Sequence, residues 1–321
     1  MQQAQQAPTV QARAALMQDV ASRTILWQQA EDTPLPMASV TKLMTVLVAL
    51  ETLSPDTIIT VPQAAIVGNA SMGLHAGQKI SVRALLYGAL LPSGNDAAMT
   101  LALAAAGSEQ AFVARMNARA TQWGLTQTHF ANPHGLDAPA HHASARDLAA
   151  LAQRALQQPL IAHIVRTPAI QIEGFALTNT NQLLGQYQGA YGVKTGTTDA
   201  AGQVLIAAAR RPGQGDVLTV VLNSPDRYAE TTTLLDFYFR NWQSRDVTLP
   251  HDVLSQATGP DGHHYLLSTP QQPLLLPRWQ WPRLHPLRII SFDAAGQPSG
   301  LYQLWLDGHK LLEAPITFTL Q

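Results

Sequence analysis

Residues 14–28 hold two short apolar runs broken by a polar stretch from Asp19 to Arg23, the pattern of a strand–turn–strand hairpin. From Ser39 to Glu51 the chain is apolar nearly all round and lacks Gly and Pro, which describes a buried helix. A second apolar segment, 84–106, is interrupted by Pro92-Ser93-Gly94-Asn95 and predicts two helices joined by a turn deep in the protein. Ser108 then caps an amphipathic helix to about Trp123, with Phe112, Met116 and Ala120 on one face and Gly124 as the stop. Ser144, with Asp147 three residues on, starts another helix through Leu156.

Two strand-like runs follow, Val204–Ala208 and Val217–Leu222, joined by the turn-rich Arg211-Pro212-Gly213-Gln214-Gly215. A last helix covers roughly 226–242. Beyond Trp242 the pattern changes: prolines accumulate, helical periodicity is lost, and short alternating runs such as Arg288–Phe292 and Leu301–Leu306 point to a small β domain. Pro315–Gln321 has the look of a closing strand. The expected organisation is a flexible tail over 1–12, a main domain over 13–243 and a β-rich domain over 244–321.

A length of 321 residues suits two or three domains. Hydrophobic residues make up 46% and charged residues 13%, with a net charge of -1, so the chain is neither disordered nor a nucleic-acid binder. No run approaches the ~20 apolar residues of a bilayer span. The absence of Cys removes disulfides, thiolate nucleophiles, Fe–S clusters and Cys-based zinc sites together. The start, Met1 to Pro8, is rich in Gln and Ala and lacks the basic and apolar regions of a signal peptide. A cytoplasmic protein with a loose tail fits this, and so does an exported protein carrying an added start Met.

Chemistry enters with Ser39 and Lys42. At i, i+3 on a helix the two side chains share a face at ~5–6 Å between Cβ atoms, so the amine can reach the hydroxyl. Burial lowers a lysine pKa and lets it act as a base. Taken alone, Ser-x-x-Lys also describes a capping Ser followed by a surface Lys. Two further motifs change the weighting. Ser93-Gly94-Asn95 lies 54 residues on (93 − 39) in the turn between apolar helices, and Lys194-Thr195-Gly196 lies 101 residues further (194 − 93), just before the strands.

In this order, Ser-x-x-Lys, Ser-x-Asn and Lys-Thr-Gly resemble the penicillin-binding protein and serine β-lactamase superfamily. The segments Pro92–Ala98, Ser71-Met72-Gly73-Leu74, Met116-Asn117, Asn132-Pro133-His134-Gly135-Leu136 and Lys194–Gly202 are similar to those of low-molecular-mass D-alanyl-D-alanine carboxypeptidases. The matching segments lie within about 14–242. The resemblance implies an α/β (α+β) fold: an antiparallel sheet flanked by helices with an inserted helical subdomain, followed here by the small C-terminal β domain.

It also implies roles. Ser39 is the acylated nucleophile and Lys42 its base; Ser93 relays a proton to the leaving amine; Asn95 holds the substrate amide and the catalytic lysine. Lys194 supplies positive potential, Thr195 and Thr197 bind a terminal carboxylate, and the N–H groups of Ser39 and Thr197 form the oxyanion hole. Gly196 completes the substrate-binding strand. No metal or cofactor is required. The implied partners are peptidoglycan stem peptides ending in D-Ala-D-Ala, and β-lactams as covalent inhibitors. Such a substrate places the protein outside the cytoplasmic membrane, in the periplasm or cell envelope, with its signal peptide removed.

There are departures. The residue after Lys-Thr-Gly is Thr197, more like β-lactamase usage, and Asn179-Thr180-Asn181 lacks the Arg of some carboxypeptidases, so carboxylate recognition is expected to lean on Lys194 and the threonines. Rival readings are a DD-endopeptidase using the same residues, a class A-like β-lactamase, and a non-catalytic peptidoglycan-binding protein. Against the β-lactamase, no Glu-x-x-Leu-Asn pattern occurs; Glu173 is the sole acidic residue in 148–190. His-Glu-x-x-His is also absent, and the adjacent pairs His141-His142 and His263-His264 lack metal-site spacing. His134 is expected to be a structural loop residue. No basic amphipathic helix follows Pro315–Gln321: either an anchor is absent or the chain has been trimmed.

Overall fold

The computed structural model describes residues 7–250 and 253–321, so the first six residues of the expected tail lie outside it. The chain divides into two compact units, Met1–Arg211 with Asp216–Phe237, and Pro212–Gly215 with Tyr238–Gln321. Order begins earlier than the sequence pattern suggests. Val10 and Ala12 are buried, and Ala12 N donates to Glu230 Oε1 at 3.0 Å.

In the larger unit, β1 (Ala14–Asp19) and β2 (Ile25–Gln29) form the predicted antiparallel hairpin. The chain then leaves the sheet through a long insertion: α1 (Lys42–Ala49), β3 (Ile58–Thr60), β4 (Lys79–Ser81), α2 (Val82–Leu90), α3 (Asn95–Ala106), α4 (Glu109–Gln122), α5 (Ala145–Gln157), α6 (Pro159–Val165), β5 (Ala169–Ile172) and β6 (Phe175–Thr178). It returns as β7 (Ala190–Thr198), β8 (Gly202–Arg211) and β9 (Gly215–Ser224), and α7 (Arg227–Asn241) follows. The sheet order is β2-β1-β9-β8-β7, so the first hairpin closes against the last strands of the unit. This is the helix-flanked antiparallel sheet with a helical insertion that the sequence resemblance implies.

Side chains explain the helix boundaries. Ser81, Ser108 and Ser144 each accept from the backbone N–H three residues on, at 3.1, 3.2 and 3.1 Å, as N-caps do. Gly124 ends α4 at φ +72, a left-handed value that costs glycine nothing. Ser144 caps α5 as its position in the sequence suggests, but the Asp147 carboxylate accepts from Gln127 N at 2.7 Å and Thr128 Oγ1 at 2.8 Å. Every residue of α1 is buried, in keeping with its lack of a polar face. β1 is buried along its whole length and β8 and β9 nearly so, the mark of a sheet covered on both faces. Among the described residues no single helix is long and apolar enough to cross a membrane.

The smaller unit is built of strands. β10 (Trp242–Val247) pairs with β13 (Gln272–Pro277), β11 (Gln256–Thr258) with β12 (His264–Ser268), and β14 (Leu284–Phe292), β15 (Pro298–Leu306) and β16 (His309–Pro315) form a meander. The expected closing strand is β17 (Thr317–Leu320), which pairs with β12. Leu249, Leu267, Tyr302, Leu304 and Ile316 form its core.

Candidate active site

Ser39 does not cap an α-helix. It lies in a 3-10 turn over Ala38–Thr41, and α1 starts only at Lys42. Ala38, just before it, sits at φ +49, a left-handed backbone rarely adopted by residues with a Cβ. Such strain persists where the surroundings dictate it. Ser39 stays half-buried while Lys42, the base implied by the motif, is fully enclosed.

Lys42 Nζ lies 2.7 Å from Ser39 Oγ, 2.8 Å from Asn95 Oδ1 and 2.7 Å from the carbonyl oxygen of His134. Asn95 Oδ1 and the His134 carbonyl can only accept, so they orient two Nζ–H bonds. A neutral amine held this way has its lone pair left for the Ser39 hydroxyl proton. Desolvation by burial drives the Lys42 pKa well below its ordinary value, and the charge of Lys194 lowers it further, while Asp96 opposes the shift. Both geometry and electrostatics therefore prepare a neutral base.

β7 brings the third motif alongside. A Cβ on Gly196 would stand 2.9 Å from Ser39 N and 2.8 Å from Ala38 Cβ, so only glycine lets the strand pass this close to Ser39. Lys194 is buried, with Nζ donating to Thr195 O at 3.1 Å. Thr195 Oγ1 shares a hydrogen bond of 2.6 Å with Thr180 Oγ1, the middle residue of Asn179-Thr180-Asn181. The second motif supplies Asn95 at the first turn of α3, and Ser93 just before it. Ser93 is at φ +67, and its buried Oγ has no hydrogen-bond partner. A buried hydroxyl without a partner costs free energy, about 1–3 kcal/mol.

These features have counterparts in known proteins. The profile of the family described as D-alanyl-D-alanine carboxypeptidase, peptidase S11, matches residues 1–226. The chain belongs to this family. It is 29% identical to the D-alanyl-D-alanine carboxypeptidase DacF of Bacillus subtilis over 95% of this chain and 84% of that protein. It is 34% identical to the D-alanyl-D-alanine carboxypeptidase of Streptomyces sp. K15, over 72% of this chain and 88% of the other. Penicillin binding protein 6B from Escherichia coli has a similar structure, with a TM-score of 0.78 and 29% identity over 98% of each chain. A member of this family is a serine hydrolase.

Within this carboxypeptidase framework, three contributions were not visible in the motifs. The first is Arg227, at the start of α7, whose Nη1 donates to Gly196 O and Thr197 Oγ1, both at 2.8 Å. A guanidinium thus stands beside the Lys194-Thr195-Gly196-Thr197 strand, a group that the motifs did not point to. Its buried Nε has no partner. Burial first, and Arg227 second, bring the Lys194 pKa down to about 7, so its charge at neutral pH depends on whether an anion is present.

The second is the backbone of the Asn132–Gly135 turn. Asn132 Oδ1 accepts from Gly135 N at 2.7 Å, Thr45 Oγ1 donates to Pro133 O at 2.5 Å, and the turn presents the His134 carbonyl to Lys42. A Cβ on Gly135, at φ +93, would meet Ala38 O at 2.0 Å. The His134 ring accepts from Leu136 N at 3.2 Å within the turn, as expected of a structural loop residue, and it is the backbone carbonyl that reaches Lys42.

The third is Asp96, buried beside Asn95. Its carboxylate accepts from Ser71 Oγ at 2.6 Å, Met72 N at 3.0 Å, Gly73 N at 3.1 Å, Leu74 N at 3.0 Å and Ala97 N at 2.9 Å. With Asn95 N bonded to Ala70 O and Asn95 Nδ2 to Gly68 O, this ties the Ser71–Leu74 segment onto the turn that positions Asn95.

Other polar residues are structural. His141 spends both ring nitrogens on Thr41 Oγ1 and Ala131 N. Glu173 lies in the β5–β6 turn and accepts from Ser81 N.

Proposed function

We propose that the protein removes the terminal D-Ala from peptidoglycan stem peptides ending in D-Ala-D-Ala, through an acyl-Ser39 intermediate. The observation that carries this reading is the placement of buried Lys42 within hydrogen-bond distance of Ser39 Oγ, Asn95 Oδ1 and the His134 carbonyl. Lys42, neutral, takes the Ser39 proton as Oγ attacks the penultimate carbonyl. The oxyanion that forms is met by the N–H groups of Ser39 and Thr197. The C–N bond then breaks, with the proton on Lys42 passing through the Ser93 hydroxyl to the departing D-Ala amine. Water attacks the acyl ester as Lys42 takes its proton, and Lys42 hands that proton to Ser39 Oγ as the ester C–O bond breaks, restoring the neutral amine and the serine hydroxyl.

Lys194, Thr195, Thr197 and Arg227 bind the terminal carboxylate. Arg227 sets a guanidinium charge beside Thr197, and the arriving anion favours the charged form of Lys194. β-Lactams acylate the same serine. The substrate implies that the protein works outside the cytoplasmic membrane, in the periplasm or cell envelope.

A fluorescent penicillin tests the acyl-enzyme. We expect covalent label on the native chain and none on Ser39→Ala or Lys42→Ala; label on Ser39→Ala would sink the reading. Chromatography of products from a pentapeptide and from a cross-linked muropeptide then decides the bond. Free D-Ala from the pentapeptide, with the cross-link left whole, is the expected result; cleavage of the cross-link identifies an endopeptidase.

A further inference from the structure

The larger unit holds a polar cavity, of about 260 Å³, at the opposite end of β7 from Thr197. It opens among the β1–β2 turn, α5, α6 and the paired ends of β7 and β8. Tyr191, at its wall, is six residues from Thr197 along the strand, or about 20 Å at the usual rise per residue. We propose that this cavity is an oxyanion-binding site, separate from the acyl-transfer centre, that takes a carboxylate or phosphate group on Arg23, Arg166 and Gln153.

The chain has 20 Lys and Arg in 321 residues, yet three arginines line this one cavity: Arg23, Arg166 and Arg210. Arg210 is neutralised, its Nε and Nη2 lying 2.8 and 2.6 Å from Asp216 Oδ2. Tyr191 occupies the other oxygen of the same carboxylate, donating at 2.7 Å. Asp19, the other acidic group near Asp216, accepts from Ser22 N and Ser22 Oγ at 2.8 and 2.9 Å. Arg166 spends only its Nε, on Ala162 O at 3.0 Å. Among the described residues, neither Arg166 nor Arg23 has a carboxylate partner.

The Tyr191 ring gathers the guanidinium groups. Arg166 and Arg210 both stand over it, at 5.7 and 5.9 Å from its centroid. Asp216 already compensates Arg210, so the charge left without an anion is that of Arg166 and Arg23. Gln153 supplies the independent observation: it lines the cavity, is 8% exposed, and its Nε2 is buried without a partner. Arg23 and Arg166 thus bring guanidinium donors to the cavity with no acidic side chain among the described residues bonded to them. An oxyanion satisfies them, because guanidinium forks pair with the planar oxygens of carboxylate or phosphate. The volume suits one such group, free or at the end of a larger ligand. The proposal does not depend on the catalytic reading.

The test uses the full chain, titrated with inorganic phosphate and, separately, with sodium succinate, and with sodium chloride at matched ionic strength. Side-chain NMR follows the Gln153 amide and the Arg166 Nε–H. We expect saturable shifts with phosphate, succinate or both, none with chloride, and affinity weakened more than about tenfold in the Arg23→Ala/Arg166→Ala double variant. Which anion saturates assigns the ligand's chemistry. In Gln153→Leu, binding should weaken while the melting temperature rises, since an unpartnered buried amide is removed. Absence of saturation with both anions, equal shifts with chloride, or unchanged affinity in the double variant would overturn the site. Penicillin labelling should be unchanged in all these variants, so failure here is distinguishable from failure of the acyl-enzyme reading.

Discussion

Asp96→Asn is nearly isosteric, yet it disturbs the buried carboxylate that ties Ser71–Leu74 to the Asn95 turn. In the native protein Oδ2 accepts from Ser71 Oγ, Gly73 N and Leu74 N, and Oδ1 accepts from Met72 N and Ala97 N. An amide can face only one of these sets with oxygen. Turned to the larger set, it aims its own N–H bonds at Met72 N–H and Ala97 N–H and leaves both without an acceptor. At about 1–3 kcal/mol for each buried donor so orphaned, the loss sums to roughly 2–6 kcal/mol. For a unit of this size the lower-to-middle part of that range lowers the melting temperature by roughly 5–15 °C. Electrostatics supplies a second, independent readout. The Asp96 charge raises the Lys42 pKa, so removing it lets that pKa fall further. A base of lower pKa is neutral at lower pH, and the acid limb of the penicillin acylation rate should move down the pH scale. Calorimetry and stopped-flow acylation across pH measure both effects. An unchanged melting temperature would refute the clamp, and an acid limb that stays put or moves upward would refute the coupling to Lys42.

Gly196→Ala should cut the acylation rate by about a hundredfold with the fold retained, because its Cβ would stand 2.9 Å from Ser39 N and must push β7 away from the nucleophile; an undiminished rate would show that the strand's approach is unimportant. Arg227→Leu should lower kcat/KM roughly 10- to 100-fold on a peptide with a free terminal carboxylate, as expected for a lost charge-assisted contact, and far less on the C-terminal amide. An equal loss on both peptides removes Arg227 from carboxylate recognition. Acid should destabilise the larger unit. Burial is the main cause that lowers the His134 and His141 pKa values to about 4, so between about 6.5 and 4 the unfolded chain binds protons that the folded chain does not. Stability then falls as pH drops through that window, by up to about 3 kcal/mol per histidine. Urea unfolding at pH 7 and pH 4.5 measures the difference, and equal stability at the two would contradict it.

Local chemistry in the sequence was enough for much of this protein. Ser108 and Ser144 marked helix starts because a hydroxyl three residues from an open N–H is a local interaction. The strand runs at 204–208 and 217–222 appear as β8 and β9, since their apolar residues suit a sheet covered on both faces. The spacing of Ser39 and Lys42 foretold that the amine could reach the hydroxyl, and it does so even though Ser39 lies on a 3-10 turn. Asp147 shows the limit of such reasoning: its spacing fits a capping box, but Gln127 and Thr128, distant in sequence, claim the carboxylate.

What tertiary structure alone decided is the surroundings of that pair. Arg227 reaches Thr197 from 30 residues away in sequence, and nothing local distinguishes it from the chain's other arginines. The His134 contribution is a carbonyl oxygen, a group every residue has, so no side-chain pattern could point to it. The tie made by Asp96 links consecutive N–H groups across 22 to 24 residues, where the loop's path determines which donors converge. A motif identifies reactive groups through short-range spacing. The burial that shifts the Lys42 and Lys194 pKa values, and the donors and acceptors that orient them, come from chain segments brought together only by folding.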